Sequence, residues 1–214
     1  MTESTTVPAA LAKLIAHLAD NKYFLGRRYA EWCTAAPTLE SAVAAAAMAQ
    51  DEIGHARSLY PLLRDIAGPS PEIEPETRTE FQNAAFLGVP FAGWTDFVAA
   101  NLLFDTALTV LLDAARNSSS KGLAQRARRI LEEEPLHWLH GEGWTRRLAG
   151  EGPAVREALT VSFRVVETDS LALLTLAQPE LVETGVLDAE SRMLCDRYRG
   201  RIDPVLAGAG MTIC

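Results

Sequence analysis

Leu11, Leu14, Ile15, Leu18 and Leu25 recur at helical spacing, which predicts a helix over about residues 8–34 with one apolar face. "TAAPTLE" interrupts the pattern: Pro37 ends that helix, and Thr38 can cap the next with Glu40 in its first turn. The second helix continues to about residue 67. A long Pro-rich connection follows, polar at its start. Further helical patterns occupy about residues 94–116, 123–149 and 155–177, with "NSSSKG" and "GEGP" as the turns between them. Beyond residue 177 the pattern is shorter and less regular. No Asn-Gly or Asp-Gly turn sits between alternating residues, so strands are not expected.

Two helical hairpins joined by a long crossover predict an all-α, ferritin-like four-helix bundle with an additional C-terminal helix, forming one domain over residues 1–214. A chain of 214 residues with 48% hydrophobic content can bury a substantial core. The formal net charge of −8 disfavours nucleic acid as a partner, and only Arg126, Arg128 and Arg129 form a short basic cluster. No apolar run is expected to reach membrane-spanning length, and the N-terminus lacks the basic and apolar regions of a secretory signal. Cys33, Cys195 and Cys214 are odd in number and widely spaced, which suits reduced thiols in a cytoplasm.

The chemistry lies in two short pairs. "AQDEIGHARSLY" places Glu52 and His55 three apart, hence on one helical face, and "EEEPLHWLH" does the same for Glu134 and His137. Each member of the second pair lies 82 residues after its counterpart, which suggests an internal pseudo-repeat. In bundles that hold metals this way, each Glu-x-x-His helix faces a neighbour that supplies one more carboxylate. Counting equal distances on either side of the second hairpin turn makes Asp105 the mirror of Glu134. It is also the only charge in "LLFDTALTVLL", where an unpaired carboxylate would be costly. The same count from Pro37 makes residue 22 the mirror of Glu52, and residue 22 is lysine. Asp20 would need a register shift to reach that point, and Glu31 would sit above it.

A lone Glu-x-x-His is usually surface decoration; the equal spacing and Asp105 favour a joint metal site. His17 and His140 read as ordinary surface or core histidines, and the four tryptophans as core or interface residues. Pro135, inside a helix between Glu134 and His137, is expected to mark a kink. Gly54 leaves room for a small ligand or for close helix packing.

With these residues in view, the sequence resembles the phenylacetic acid catabolism proteins, the ferritin-like subunits of bacterial phenylacetyl-CoA epoxidase. "APTLESAVAAAAMAQDEIGHARSLY" and "EEEPLH" are similar to the catalytic subunit's ligand-bearing helices. "LADNKYFLGRRYAEWCTAAPTLE" is closer to the non-catalytic partner subunit. The resemblance implies that Glu52, His55, Asp105, Glu134 and His137 correspond to iron ligands, with Lys22 in the place of the remaining glutamate. It implies iron as cofactor, a homodimer or a heterodimer with a related subunit, and a separate reductase if the protein is an oxygenase.

Lys22 leaves three outcomes open. A charged ammonium would replace one metal or both; a deprotonated amine would serve as a neutral neighbour; a carbamate would restore the fourth acid. Three functions follow: a di-iron oxygenase (a monooxygenase acting on an aromatic or CoA-linked substrate), a non-catalytic scaffold subunit, or a ferritin-like oxidase or ferroxidase.

Overall fold

The computed structural model describes residues 6–67 and 77–212, so Cys214 and the start of the Pro-rich connection lie outside the described residues. The protein is an all-α, ferritin-like bundle. Helix α1 spans Thr6–Glu31 and α2 spans Leu39–Ala67. After a 3-10 turn at Ala85–Gly88, one continuous rod is built from α3 (Trp94–Ala99), a π-helical turn (Ala100–Phe104) and α4 (Asp105–Ala114). Helix α5 spans Lys121–Gly150 and α6 spans Pro153–Leu174. Short α7 (Pro179–Glu183) leads into α8 (Ser191–Gly208).

The apolar face predicted for α1 is the one buried: Leu14, Ile15, Leu18 and Leu25 are almost wholly enclosed. Helices α1 and α2 form one hairpin and α4 and α5 the other. Helix α6 closes over α3, the π turn and α5, and α8 packs against α4, α5 and α6.

Two expectations are corrected. The chain beyond residue 177 is not irregular, since α8 is an 18-residue helix. Leu194, Tyr198, Ile202 and Val205 are buried along one stripe, but the intervening arginines and aspartates dilute the pattern. Nor is a long apolar run missing. Trp94–Ala114 is long and apolar enough to cross a membrane, but 94% of its apolar window is buried within the bundle, as in a core helix. Pro135 is accommodated within α5, which continues through it.

Two glycines set how closely the rods approach. A Cβ on Gly26 would lie 2.8 Å from Ile53 Cγ1 and 3.0 Å from both Ala49 O and Glu52 Cβ, so the α1–α2 approach requires its bare backbone. Gly141 does the same on α5, where a Cβ would meet Asn101 Oδ1 at 3.0 Å and Leu102 Cα at 3.1 Å. Gly26 lies one turn from Lys22, and Asn101 one turn from Asp105.

Candidate functional site

Asp20, Asn21 and Lys22 are consecutive, and all three are buried. Helical rotation sends each to a different task. Asp20 accepts hydrogen bonds from Tyr60 Oη (2.8 Å), Arg78 Nη2 (2.8 Å) and the Gln82 backbone N–H (2.7 Å). Asn21 accepts from the Ala84 N–H (2.7 Å) and donates to Gln82 O (3.2 Å). These two residues pin the end of the crossover to α1. Asp20 therefore faces away from the acidic cluster, and Glu31 pairs with Arg28 instead (3.1 Å).

Lys22 turns inward. Its Nζ donates to Glu52 Oε1 (3.0 Å), Asp105 Oδ1 (2.7 Å) and Glu134 Oε1 (2.7 Å). An ammonium has three N–H bonds, and each meets a different carboxylate. Burial alone would push Lys22 down, but Asp105, Glu134 and Glu52 outweigh it and hold its pKa well above the ordinary value. The side chain is therefore a buried cation.

His137 supplies a second one. Its Nδ1 lies 3.0 Å from Asp105 Oδ2 and 3.1 Å from Glu52 Oε1, and its Nε2 lies 3.3 Å from Asp51 Oδ2. Both ring nitrogens face acceptors, which favours the doubly protonated ring. Burial opposes that charge, yet the hydrogen bonds to Asp105 and Glu52 raise His137 to about 11. Burial would also raise Asp105, but Lys22 and His137 hold it below the ordinary carboxylate range. The surplus negative charge is felt at Glu52, which burial and Asp105 push up to about 8 against the pull of Lys22. Thr109 Oγ1 donates to Glu134 Oε2 at 2.9 Å.

His55 behaves differently. Burial, followed by the charges of Lys22 and His137, pushes it down to about 2, so the ring is neutral. Its Nε2 meets Glu133 Oε2 at 2.6 Å, while Nδ1 is 3.7 Å from Glu134 Oε1 and has no hydrogen-bond partner. The sequence reading missed Asp51 and Glu133, the acids that precede Glu52 and Glu134. The signal was available, because they too are 82 residues apart and each holds the histidine of the opposite helix.

Of the six side chains that sequence reasoning singled out, Lys22, Glu52, Asp105, Glu134 and His137 meet at one point, and His55 stands beside them with its Nδ1 3.7 Å from Glu134 Oε1. Glu52, Asp105, Glu134 and His137 each place a ligand atom within 4.8 Å of the others, a grouping that could hold a metal ion. The donor set does not fit a pair of irons. Lys22 Nζ occupies the position common to the three carboxylates, and His137 Nδ1 is committed to two of them. Four carboxylates would neutralise two divalent irons, whereas three acids against one ammonium leave only two negative charges to do so.

The remaining histidine on α5 serves another purpose. His140 Nδ1 donates to Asn101 Oδ1 at 2.9 Å, and its ring lies edge-on to Trp94, with centroids 6.0 Å apart, beside Phe97 and Trp144. Gly54 answers to neither sequence-based expectation within the chain, because it is exposed and a Cβ there would meet nothing within 4 Å.

Comparison with known proteins places the chain in a family. The family described as "Phenylacetic acid catabolic protein" matches residues 2–214. The chain is also 30% identical over 154 residues to one of the subunits of the "1,2-phenylacetyl-CoA epoxidase" of Escherichia coli (strain K12). That alignment takes in 69% of this chain and 62% of the relative, less than two thirds of its length. With a family match running almost from end to end, the chain belongs to the phenylacetic acid catabolic protein family.

Proposed function

We propose that this protein is a non-catalytic, ferritin-like partner subunit of an epoxidase-type assembly acting on phenylacetate-derived thioesters. In this reading the chain supplies its own cations where a catalytic relative would hold iron. One observation carries it: Lys22 Nζ at 2.7–3.0 Å from one oxygen of each of Glu52, Asp105 and Glu134. That contact set belongs to a charged amine. A carbamate would add a fourth anion among three, and a neutral amine could not donate three hydrogen bonds.

The cluster then joins α1, α2, α4 and α5 as an ionic core. Such cores are weak as a source of stability but enforce one register, because each group needs its partners. The oxygenase reading retains the clustering of Glu52, His55, Asp105, Glu134 and His137 as support. It requires Lys22 to leave the centre before a metal can enter.

The test is metal content after anaerobic iron loading of the wild-type protein. No bound iron, with the fold intact by circular dichroism, is the expected result. Stoichiometric iron, with oxygen consumption in the presence of a reductase, would reverse the assignment toward the oxygenase.

A further inference from the structure

A cavity of about 380 Å³ lies where α4, α5 and α8 meet, a volume ordinary for a small-molecule site, and Asp105 and Glu134 form part of its wall. Its deep part is rich in acceptors. Thr106 Oγ1 donates its proton to Leu102 O (2.5 Å), and Thr109 Oγ1 donates to Asp105 O or Glu134 Oε2 (2.9 Å each). Both hydroxyls therefore have only lone pairs left to offer. Pro135 has no N–H to give the Leu131 carbonyl, which loses its usual helical partner. Against these acceptors the described lining sets one buried donor without a partner, Asn101 Nδ2. At the mouth the polarity reverses. Arg116 is held by Asp113 at 3.1 Å, and the exposed Arg201 on α8 meets no acceptor among the described residues.

From this polarity we infer that the cavity binds a small ω-amino acid, with its ammonium against Asp105, Glu134 and the two threonines and its carboxylate between Arg116 and Arg201. Water alone would meet the acceptors but not the charge. Glu52, Asp105 and Glu134 carry three negative charges, and Lys22 and His137 return two. A ligand ammonium supplies the third and brings three N–H donors with it. Length selects the class. Asp113, which holds Arg116, lies eight residues beyond Asp105, about 12 Å along the rod, too far for an α-amino acid to bridge. Leu131, Pro135 and Trp138 give the apolar body its wall. Bound there, the ligand ties α8 to α4 and α5 and gives the subunit a ligand-dependent stability. The inference rests on the proposed function only in taking Lys22 as charged in a metal-free centre.

The probes are 6-aminohexanoate and its ring-bodied counterpart 4-(aminomethyl)benzoate, titrated into the full-length chain by calorimetry. Saturable binding is expected, with hexanoate and hexylamine, each lacking one charged end, at least tenfold weaker. Arg201→Gln should weaken 6-aminohexanoate at least fivefold while leaving hexylamine within twofold. Leu131→Phe, which fills the cavity, should weaken both. Arg164→Gln, at an exposed position on α6 away from the cavity, should leave binding within twofold. Thermal melts without ligand check that each variant folds as the wild type does. A wild-type chain that ignores both probes would overturn the assignment. So would hexanoate binding as tightly as 6-aminohexanoate, or undiminished binding by Arg201→Gln and Leu131→Phe. Iron content is measured on the same samples. A chain that takes up iron and still binds the probe through Arg201 overturns the proposed function alone, and an iron-free chain that ignores the probes overturns this inference alone.

Discussion

Lys22 and Glu134 are 112 residues apart in sequence, yet Nζ and Oε1 are separated by only 2.7 Å. The contact ties the first helix to the fourth long rod of the bundle. Because it is buried, it is not screened as a surface pair would be.

Removing that cation should be costly. Lys22→Met keeps the aliphatic stem but leaves three acids facing one another, and breaking a buried ionic group of this kind costs about 3–5 kcal/mol. Urea melts should show that loss. Adding a divalent metal should restore part of it in Lys22→Met and none in the wild type, since a ligand stabilises only a fold that binds it. Equal metal-induced shifts in both proteins would show that Lys22 does not exclude metal.

Lys22→Glu restores four acids around the centre. It should bind iron measurably more than the wild type and depend on it for stability. Unchanged iron stoichiometry by elemental analysis would show that residue 22 does not control occupancy.

Gly26→Ala should destabilise the protein by about 1–3 kcal/mol, because one of the clashing atoms, Ala49 O, is backbone and cannot swing away. Gly200→Ala, inside α8 with nothing within 4 Å, should instead stabilise it by roughly 0.5–1 kcal/mol. Opposite signs in paired denaturant melts are the check.

His140 should make the protein acid-sensitive. Burial, with a smaller effect from the charge of His137, pushes its pKa from 6.5 to about 4. A depressed histidine takes its proton more readily in the unfolded chain. Its contribution is therefore complete above about 6.5 and disappears as pH falls toward 4. The new proton would lie on Nε2, a buried atom with no hydrogen-bond partner. A loss on the order of 2 kcal/mol is expected over that interval. His140→Phe should flatten this part of the pH–stability profile relative to the wild type, while the carboxylates contribute to both.

Asp20→Ala should free the end of the crossover before it affects the cluster. Faster amide exchange over residues 77–84, with α5 still protected, would show this. Uniform loss of protection would show that the anchor and the core unfold together.

Most of the bundle was readable because its rods follow one apolar stripe, as Leu14, Leu18 and Leu25 show on α1. Helix α8 was obscured because its stripe alternates with Arg197, Arg199, Arg201 and Asp203, which solvent accommodates at no cost to the buried face. Equal counting about a hairpin turn located Asp105 and Lys22, since antiparallel rods rise at the same rate. It could not show which way Asp20 points or that His55 is neutral. Those depend on the crossover and on charges from three other helices. Asp51 and Glu133 were overlooked because each precedes the more obvious acid by one residue, and only the pairing across the seam reveals their part.

The π-helical turn at Ala100–Phe104 carries a consequence for how mutations will propagate. Such a turn holds one residue more than a regular winding. Deleting one residue there would let the rod wind normally and leave Asp105 aligned with its hairpin partner. Because the extra residue is taken up within that one wider turn, the segment before it would keep its face, and Trp94 and Phe97 would stay in their aromatic nest. The lesion would be confined to the turn itself, where Asn101 meets His140, while the acids around Lys22 kept their places.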